Sequence, residues 1–190
     1  YSLMASHDDR LWVATKGDGV FVSEKEMGKD VRGMRFVAIS QAARWENQRT
    51  PEVDLAYSLA EDGNGSIWVA TYGGGIVRLS REGGNITARV FTQQNSGLSD
   101  NKARYVVKST NGDILIGSLG GADVIRASET RNATPSITPL LAGADVCHIT
   151  ETRDGNLCLS SIGQGLIVLS VNGQDSTRHM LTRQDGLCDN

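Results

Sequence analysis

Four times the chain writes an apolar strand, then Thr or Ser, then a glycine turn. The copies are Leu11-Trp12-Val13-Ala14-Thr15-Lys16-Gly17-Asp18-Gly19 and Ile67-Trp68-Val69-Ala70-Thr71-Tyr72-Gly73-Gly74-Gly75. They continue as Ile114-Leu115-Ile116-Gly117-Ser118-Leu119-Gly120-Gly121-Ala122 and Leu157-Cys158-Leu159-Ser160-Ser161-Ile162-Gly163-Gln164-Gly165. The Trp12 position recurs at Trp68, Leu115 and Cys158, in steps of 56, 47 and 43 residues. All-strand repeats of that period predict an all-β chain built as a β-propeller, because each unit can bury its apolar faces only against its neighbours.

The second copy is the fullest. Val53 to Ala60 reads as a first strand, and Glu61-Asp62-Gly63-Asn64-Gly65 as a hairpin turn. Ile67 to Thr71, Ile76 to Ser80 and Thr87 to Thr92 follow as strands, making a four-stranded blade. The same reading gives about four blades: 1–50, with a truncated first strand and a long tail; 51–97; 98–140; and 141–187. Residues 188–190 begin a further one. Trp12 and Trp68 are expected to pack between blades, each burial contributing about 2–3 kcal/mol. Thr15, Thr71, Ser118 and Ser161 are expected to bond backbone at the turns, and Asp62 and Asp154 to cap hairpin amides. Tyr1-Ser2-Leu3 matches Tyr57-Ser58-Leu59, and the last residues echo the segment that opens the third copy. On this pattern the chain is an excerpt of a larger, seven-bladed propeller whose open faces would make it associate in isolation.

Composition narrows the function classes. A net charge of −3 over 190 residues argues against nucleic acid or an anionic membrane as the main partner. No apolar run is long enough to span a bilayer, and no basic-then-apolar leader opens the chain. The three cysteines have no metal-ligand spacing. Cys147 and Cys158 fall on facing strands of one hairpin, either bridged or as buried thiols. No HxH, HExxH or GxSxG occurs, and His7, His148 and His179 sit at non-equivalent positions. No catalytic residue, metal site or cofactor is expected.

The run from Asp62 to Ile76, and Ser96-Gly97-Leu98-Ser99-Asp100-Asn101, resemble the repeat of the two-component regulator propellers. The resemblance extends over all four copies, weakening where Leu115 and Cys158 replace Trp and Ala122 stands at a glycine position. It implies the periplasmic sensor region of a hybrid two-component system in the inner membrane of gut Bacteroidetes. In such a region propellers detect an oligosaccharide, work as a homodimer and switch on glycan-utilisation genes through a histidine kinase. These residues would be the sensing part, joined to further blades of the same chain, with no enzymatic activity and no contact with nucleic acid.

In a propeller the first strand of each blade faces the axis, and the turn between second and third strands shares a rim with the segment entering the first. That places Tyr72, Asp100, Asn101, Lys102, Leu119, Gln164 and Asn190 on the rim, and Arg104, Tyr105 and His148 on first strands. Sugar recognition needs an aromatic plane for C–H faces and planar polar groups for hydroxyls, with Arg for an acidic group. Tyr72, Arg104, Tyr105 and His148 are therefore the ligand-binding candidates, with Arg44 and Trp45 of the first tail as a lid. Each has a plainer alternative: packing between blades for Arg104 and Tyr105, a core histidine for His148, and loop packing for Arg44 and Trp45. Asn101 and Asn190 recur at one motif position and read as turn residues. Two other functions fit the scaffold: a platform for protein partners, and a lyase of the streptogramin-inactivating type, which would need a His, Glu and metal cluster.

Overall fold

The computed structural model describes residues 1–28, 31–172 and 175–190. Blade 1 holds β1 (Ser2–Ala5), β2 (Leu11–Ala14), β3 (Val20–Ser23) and β4 (Phe36–Ala38), paired in that order. After a helical turn at Ile39–Ala42 comes β5 (Ala43–Trp45). Blade 2 holds β6 (Ala56–Glu61), β7 (Ile67–Thr71), β8 (Gly75–Glu82) and β9 (Asn85–Phe91). Blade 3 is β10 (Ala103–Lys108), β11 (Ile114–Ser118), β12 (Gly121–Ile125) and β13 (Ile137–Ala142). Blade 4 is β14 (Asp145–Glu151), β15 (Leu157–Ile162), β16 (Gly165–Asn172) and β17 (Asp175–Leu181). Each blade is an antiparallel meander, and β1, β6, β10 and β14 lie side by side as the inner strands.

The second strands of blades 2 and 3 are buried on both faces, which explains their nearly unbroken apolar sequence, while those of the flanking blades 1 and 4 alternate. Three apolar cores fill the seams between successive blades. Trp12 and Trp68 are wholly buried, as expected. Each also has a partner for its indole N–H six residues upstream: Trp12 donates to Ser6 Oγ at 3.1 Å and Trp68 to Asp62 Oδ2 at 2.9 Å. Asp62 accepts from the Asn64 and Ser66 amides through its other oxygen, so one carboxylate fixes both the hairpin and the core tryptophan.

Several details depart from the sequence reading. The tail assigned to the first blade partly joins the second: β5 adds to β9 in parallel as a fifth strand, order β5-β9-β8-β7-β6. The Asn47 side chain continues that pairing, donating to the Val90 carbonyl and accepting from its amide. Pro51–Asp54 forms a 3₁₀ turn, so the first strand of blade 2 starts at Ala56. Blade 3 runs to Ala142, because β13 continues past residue 140. Thr15, Thr71 and Ser118 do bond the carbonyls of Gly19, Gly75 and Gly121. Ser161 Oγ does not: it is buried without a partner among the described residues.

Ala122 does not stand at the glycine position. Thr71 pairs with Gly75 but Ser118 with Gly121, so the turn of blade 3 is one residue shorter. Gly121 is the counterpart of Gly75. Each opens its strand at positive φ against the next strand: a Cβ would lie 2.1 Å from the Phe91 oxygen at Gly75 and 1.9 Å from the Leu141 oxygen at Gly121. Gly83 also has positive φ, with open space around it. Gly75→Ala should therefore lower unfolding stability by roughly 2–4 kcal/mol, and Gly83→Ala by about 1 kcal/mol. Urea denaturation measures both, and equal losses would contradict the steric account.

Blades 1 and 2 are also clasped at the rim opposite the glycine turns. The His7 amide donates to Glu61 Oε2 at 2.8 Å, its ring Nδ1 meets Glu61 Oε1, and Asp8 pairs with Arg81. Glu61 and Asp62, adjacent in sequence, thus serve different partners. The hydrogen bond to Glu61 and then that carboxylate's charge raise the His7 pKa above its ordinary 6.5. A raised folded-state value means that protonated His7 stabilises the chain below about pH 6.5 and loses that effect as pH climbs through the raised value. Denaturation of wild type and His7→Ala across pH should show a gap under acidic conditions that closes on the alkaline side. A gap that widens with pH would contradict this.

Candidate functional site

The segment entering each blade closes onto the glycine turn of the blade before. Gly17 and Gly19 donate to the Asp54 carbonyl, Gly73 and Gly75 to that of Asn101, and Gly163 to that of Asn190. The Asn101 and Asn190 side chains accept from the Gln93 and Arg183 amides. Both asparagines are thus built into the turns. Asp123, fully buried in β12, accepts both the hydroxyl and the amide of Ser99, holding the segment that enters blade 3. Burial pushes its pKa up, although the Ser99 bonds oppose this.

The inner strand of blades 2, 3 and 4 carries the same irregularity just after it starts. Register shifts between Ala56 and Ser58, between Ala103 and Tyr105, and between Val146 and His148. Tyr57, Arg104 and Cys147 are the extra residues of these β-bulges. A bulge re-aims one side chain away from the strand's alternation. The three side chains consequently fall in one row along the rim.

Contacts in the row are continuous. The Tyr1 and Tyr57 ring centroids are 4.7 Å apart, and those of Tyr57 and Tyr72 are 5.5 Å apart and stacked. The Arg104 guanidinium lies 5.5 Å over Tyr72, with Nη1 3.3 Å from Cys147 Sγ and 3.1 Å from Asp145 Oδ1. Lys16 sits over the Tyr1 ring and Lys102 over Tyr72, each at 5.8 Å. Such cation–π contacts hold charges at aromatic faces without neutralising them. Burial opposes the Arg104 charge, but bonds to Cys147 and Tyr72 and the attraction of Asp145 outweigh it and raise its pKa. Bonds to the Tyr1 and Tyr57 phenols raise the pKa of Lys16.

Of the residues singled out from sequence, Tyr72 and Arg104 meet in this row. Tyr105 and His148 meet each other, ring centroids 4.1 Å apart, in the seam between blades 3 and 4, where Tyr105 packs on the apolar core. His148 is exposed rather than a core histidine. Burial raises the Tyr105 pKa. Ser58, at the equivalent position, likewise spans a seam through bonds to both Val106 backbone groups. Arg44 and Trp45 do not form a lid over the row: β5 is the outermost strand of blade 2, with four strands between it and that blade's inner edge. Trp45 packs on the core between blades 1 and 2 under Arg49, and Arg44 is exposed. Sequence reasoning did not single out Tyr57 as a site residue, although its equivalence to Arg104 and Cys147 was the available signal. Cys147, Cys158 and Cys188 are free thiols. Among the described residues no group of three or more His, Cys, Asp or Glu converges as a metal site, and no helix is long and apolar enough to cross a membrane.

Four meander sheets fanned about their inner strands define a stretch of β-propeller. Residues 53–73, within blade 2, match the family model described as Two component regulator propeller. Solved structures share the fold. The extracellular domain of the hybrid two component system BT3049 from B. thetaiotaomicron matches 99% of this chain at 18% identity, TM-score 0.73. That of BT4673 from the same organism matches 94% at 20% identity, TM-score 0.65. This chain spans 23% of the length of each. A streptogramin B lyase aligns with 93% of this chain and 53% of its own, at 15% identity and TM-score 0.60. No curated protein sequence matches.

Proposed function

We propose that this chain is a ligand-sensing stretch of the periplasmic region of a two-component sensor, that it binds an oligosaccharide, and that it performs no catalysis itself. The observation carrying the reading is the row Tyr1–Tyr57–Tyr72–Arg104, three aromatic rings in series ending on a guanidinium and flanked by Lys16 and Lys102. Aromatic faces suit the C–H faces of sugar rings, and Arg offers paired N–H donors to carboxylate or sulfate. The cations favour an acidic glycan over a neutral one of the same size. The regulator-propeller match in blade 2 and the shared fold with the B. thetaiotaomicron extracellular domains support the sensor role.

Binding becomes a signal only if the ligand prefers one of two arrangements of the sensor. The row is suited to that, because its members come from three successive blades and a bound sugar would feel their relative positions. In the full sensor, a homodimer on this reading, the change would pass to a kinase and on to glycan-utilisation genes.

A glycan library titrated by calorimetry into the longest soluble sensor region containing this chain tests the site. The expected result is saturable binding of an acidic oligosaccharide, weakened about 10–100-fold by Arg104→Ala and about tenfold by Tyr57→Ala. Tyr105→Ala should leave affinity within about twofold, since its ring belongs to a seam. Binding unaffected by Arg104→Ala and Tyr57→Ala would overturn the site. No glycan binding at all would favour a platform for protein partners.

A further inference from the structure

Away from the inner row, a cleft of about 400 Å³ opens between the outer strands of blade 2 and the 126–136 loop of blade 3. It lies at the rim opposite the glycine turns, beside the Asn64–Ser66 hairpin. Its floor is Arg78, only 8% exposed. Arg78 Nη1 donates to the Thr130 carbonyl at 2.9 Å and the Asn132 carbonyl at 2.6 Å. The guanidinium lies 5.7 Å from the Trp68 ring and 5.6 Å from the Phe91 ring. None of these partners carries negative charge.

The surroundings deepen the imbalance. Arg89 faces Arg78 directly across the β8–β9 ladder, and like charges in that relation repel. Glu46 is engaged by Arg89 at 2.9 Å. Arg131 reaches over the cleft and bonds the Asn64 side chain rather than a carboxylate. Burial, then Arg89, depress the Arg78 pKa, against the weaker attraction of Glu46 and Asp62. Four arginines line the cleft; Arg81 is paired with Asp8 and Arg89 with Glu46, which leaves Arg78 and Arg131 against Glu82. A buried cation with no carboxylate in hydrogen-bond contact is costly, and its Nε and Nη2 groups remain available as donors. Hydroxyls are ready beside it: Ser66 and Ser80 lie 3.2 Å apart and share one hydrogen bond, leaving a second O–H free to turn, and Thr87 is on the same wall.

We propose that this cleft binds a tetrahedral oxyanion, a sulfate or phosphate group, with Arg78 as its central partner. Arg131 closes over it, and the hydroxyls of Ser66, Ser80 and Thr87 complete the shell. A guanidinium pairs with two oxygens in its plane, and hydroxyls at an angle to that plane take the others. Clefts of this size hold a small ligand, so the group can arrive free or as an ester on a sugar. The site is independent of the inner row and does not rest on the oligosaccharide reading.

The test is titration of sodium sulfate into the chain at ionic strength held constant with sodium chloride. Heat is measured together with the NMR shift of the Arg78 Nε–H. Saturable binding is expected, weakened at least about tenfold by Arg78→Gln. Ser80→Ala and Arg131→Ala, which leave the Trp68–Phe91 packing untouched, should each weaken it roughly threefold and keep the test valid if Arg78→Gln fails to fold. Inorganic phosphate and a sulfated disaccharide identify the source: tighter binding of the disaccharide assigns an ester, equal binding a free anion. A non-saturating response matched by chloride, or sulfate affinity unchanged in Ser80→Ala and Arg131→Ala, overturns the proposal.

Discussion

Everything in this chain hangs on how one blade is held to the next at the glycine turns. Gly75 opens β8 at positive φ with no room for a Cβ, because the Phe91 carbonyl occupies that space. The same turn offers the Gly73 and Gly75 amides to the Asn101 carbonyl on the segment entering blade 3. One tight turn therefore lets the third strand close onto the fourth and anchors the following blade. These bonds are between backbone groups, so the side chains on the turn are free to vary. That freedom is where Lys16 and Tyr72 stand.

The anchored segment leads straight into the bulge. In blades 2 to 4 the inner strand starts, takes one extra residue, and resumes its alternation in time to pack the seams. Without the bulge, Tyr57, Arg104 and Cys147 would fall into the strand's ordinary alternation, and the register behind them would shift. With it, the chain keeps Ser58 and Tyr105 as seam residues and gains a row of outliers. The row is consequently a product of the scaffold's repetition: one structural device, repeated with different side chains, makes a surface with aromatic rings at one end and a guanidinium, thiol and carboxylate at the other.

Much of the fold was legible because its signals are local and repeated. Alternating glycine turns and apolar strands gave the four blades, and Trp12 and Trp68 marked the buried second strands. What escaped depended on contacts remote in sequence. β5 joins blade 2 because Ala43 and Trp45 find the seam beside Ile86, and Asn47 finds a backbone unit at Val90; nothing in residues 43–47 announces that partner. The shorter turn at Leu119-Gly120 shifted the repeat by one residue, so alignment on the second strand set Ala122 where Gly121 belongs. Of the candidate residues, Tyr72 was expected on the rim and Arg104 on a first strand, and the structure brings the two into contact. Tyr57, which was not singled out, lies in the same row while Tyr105 lies in a seam, because a one-residue bulge decides which of two neighbours faces the seam. Arg78 was invisible, since its partners lie more than fifty residues away on the loop of the next blade.

The central claim is that bulged residues on successive inner strands together form the recognition surface. The most direct test is a crystal structure of the longest soluble region containing this chain with an acidic oligosaccharide added. This account predicts sugar rings against Tyr57 and Tyr72, with an acidic group at Arg104 and bulges retained at residues 57, 104 and 147. Glycan bound at the opposite rim, or an inner strand that runs unbulged through those positions, would contradict it.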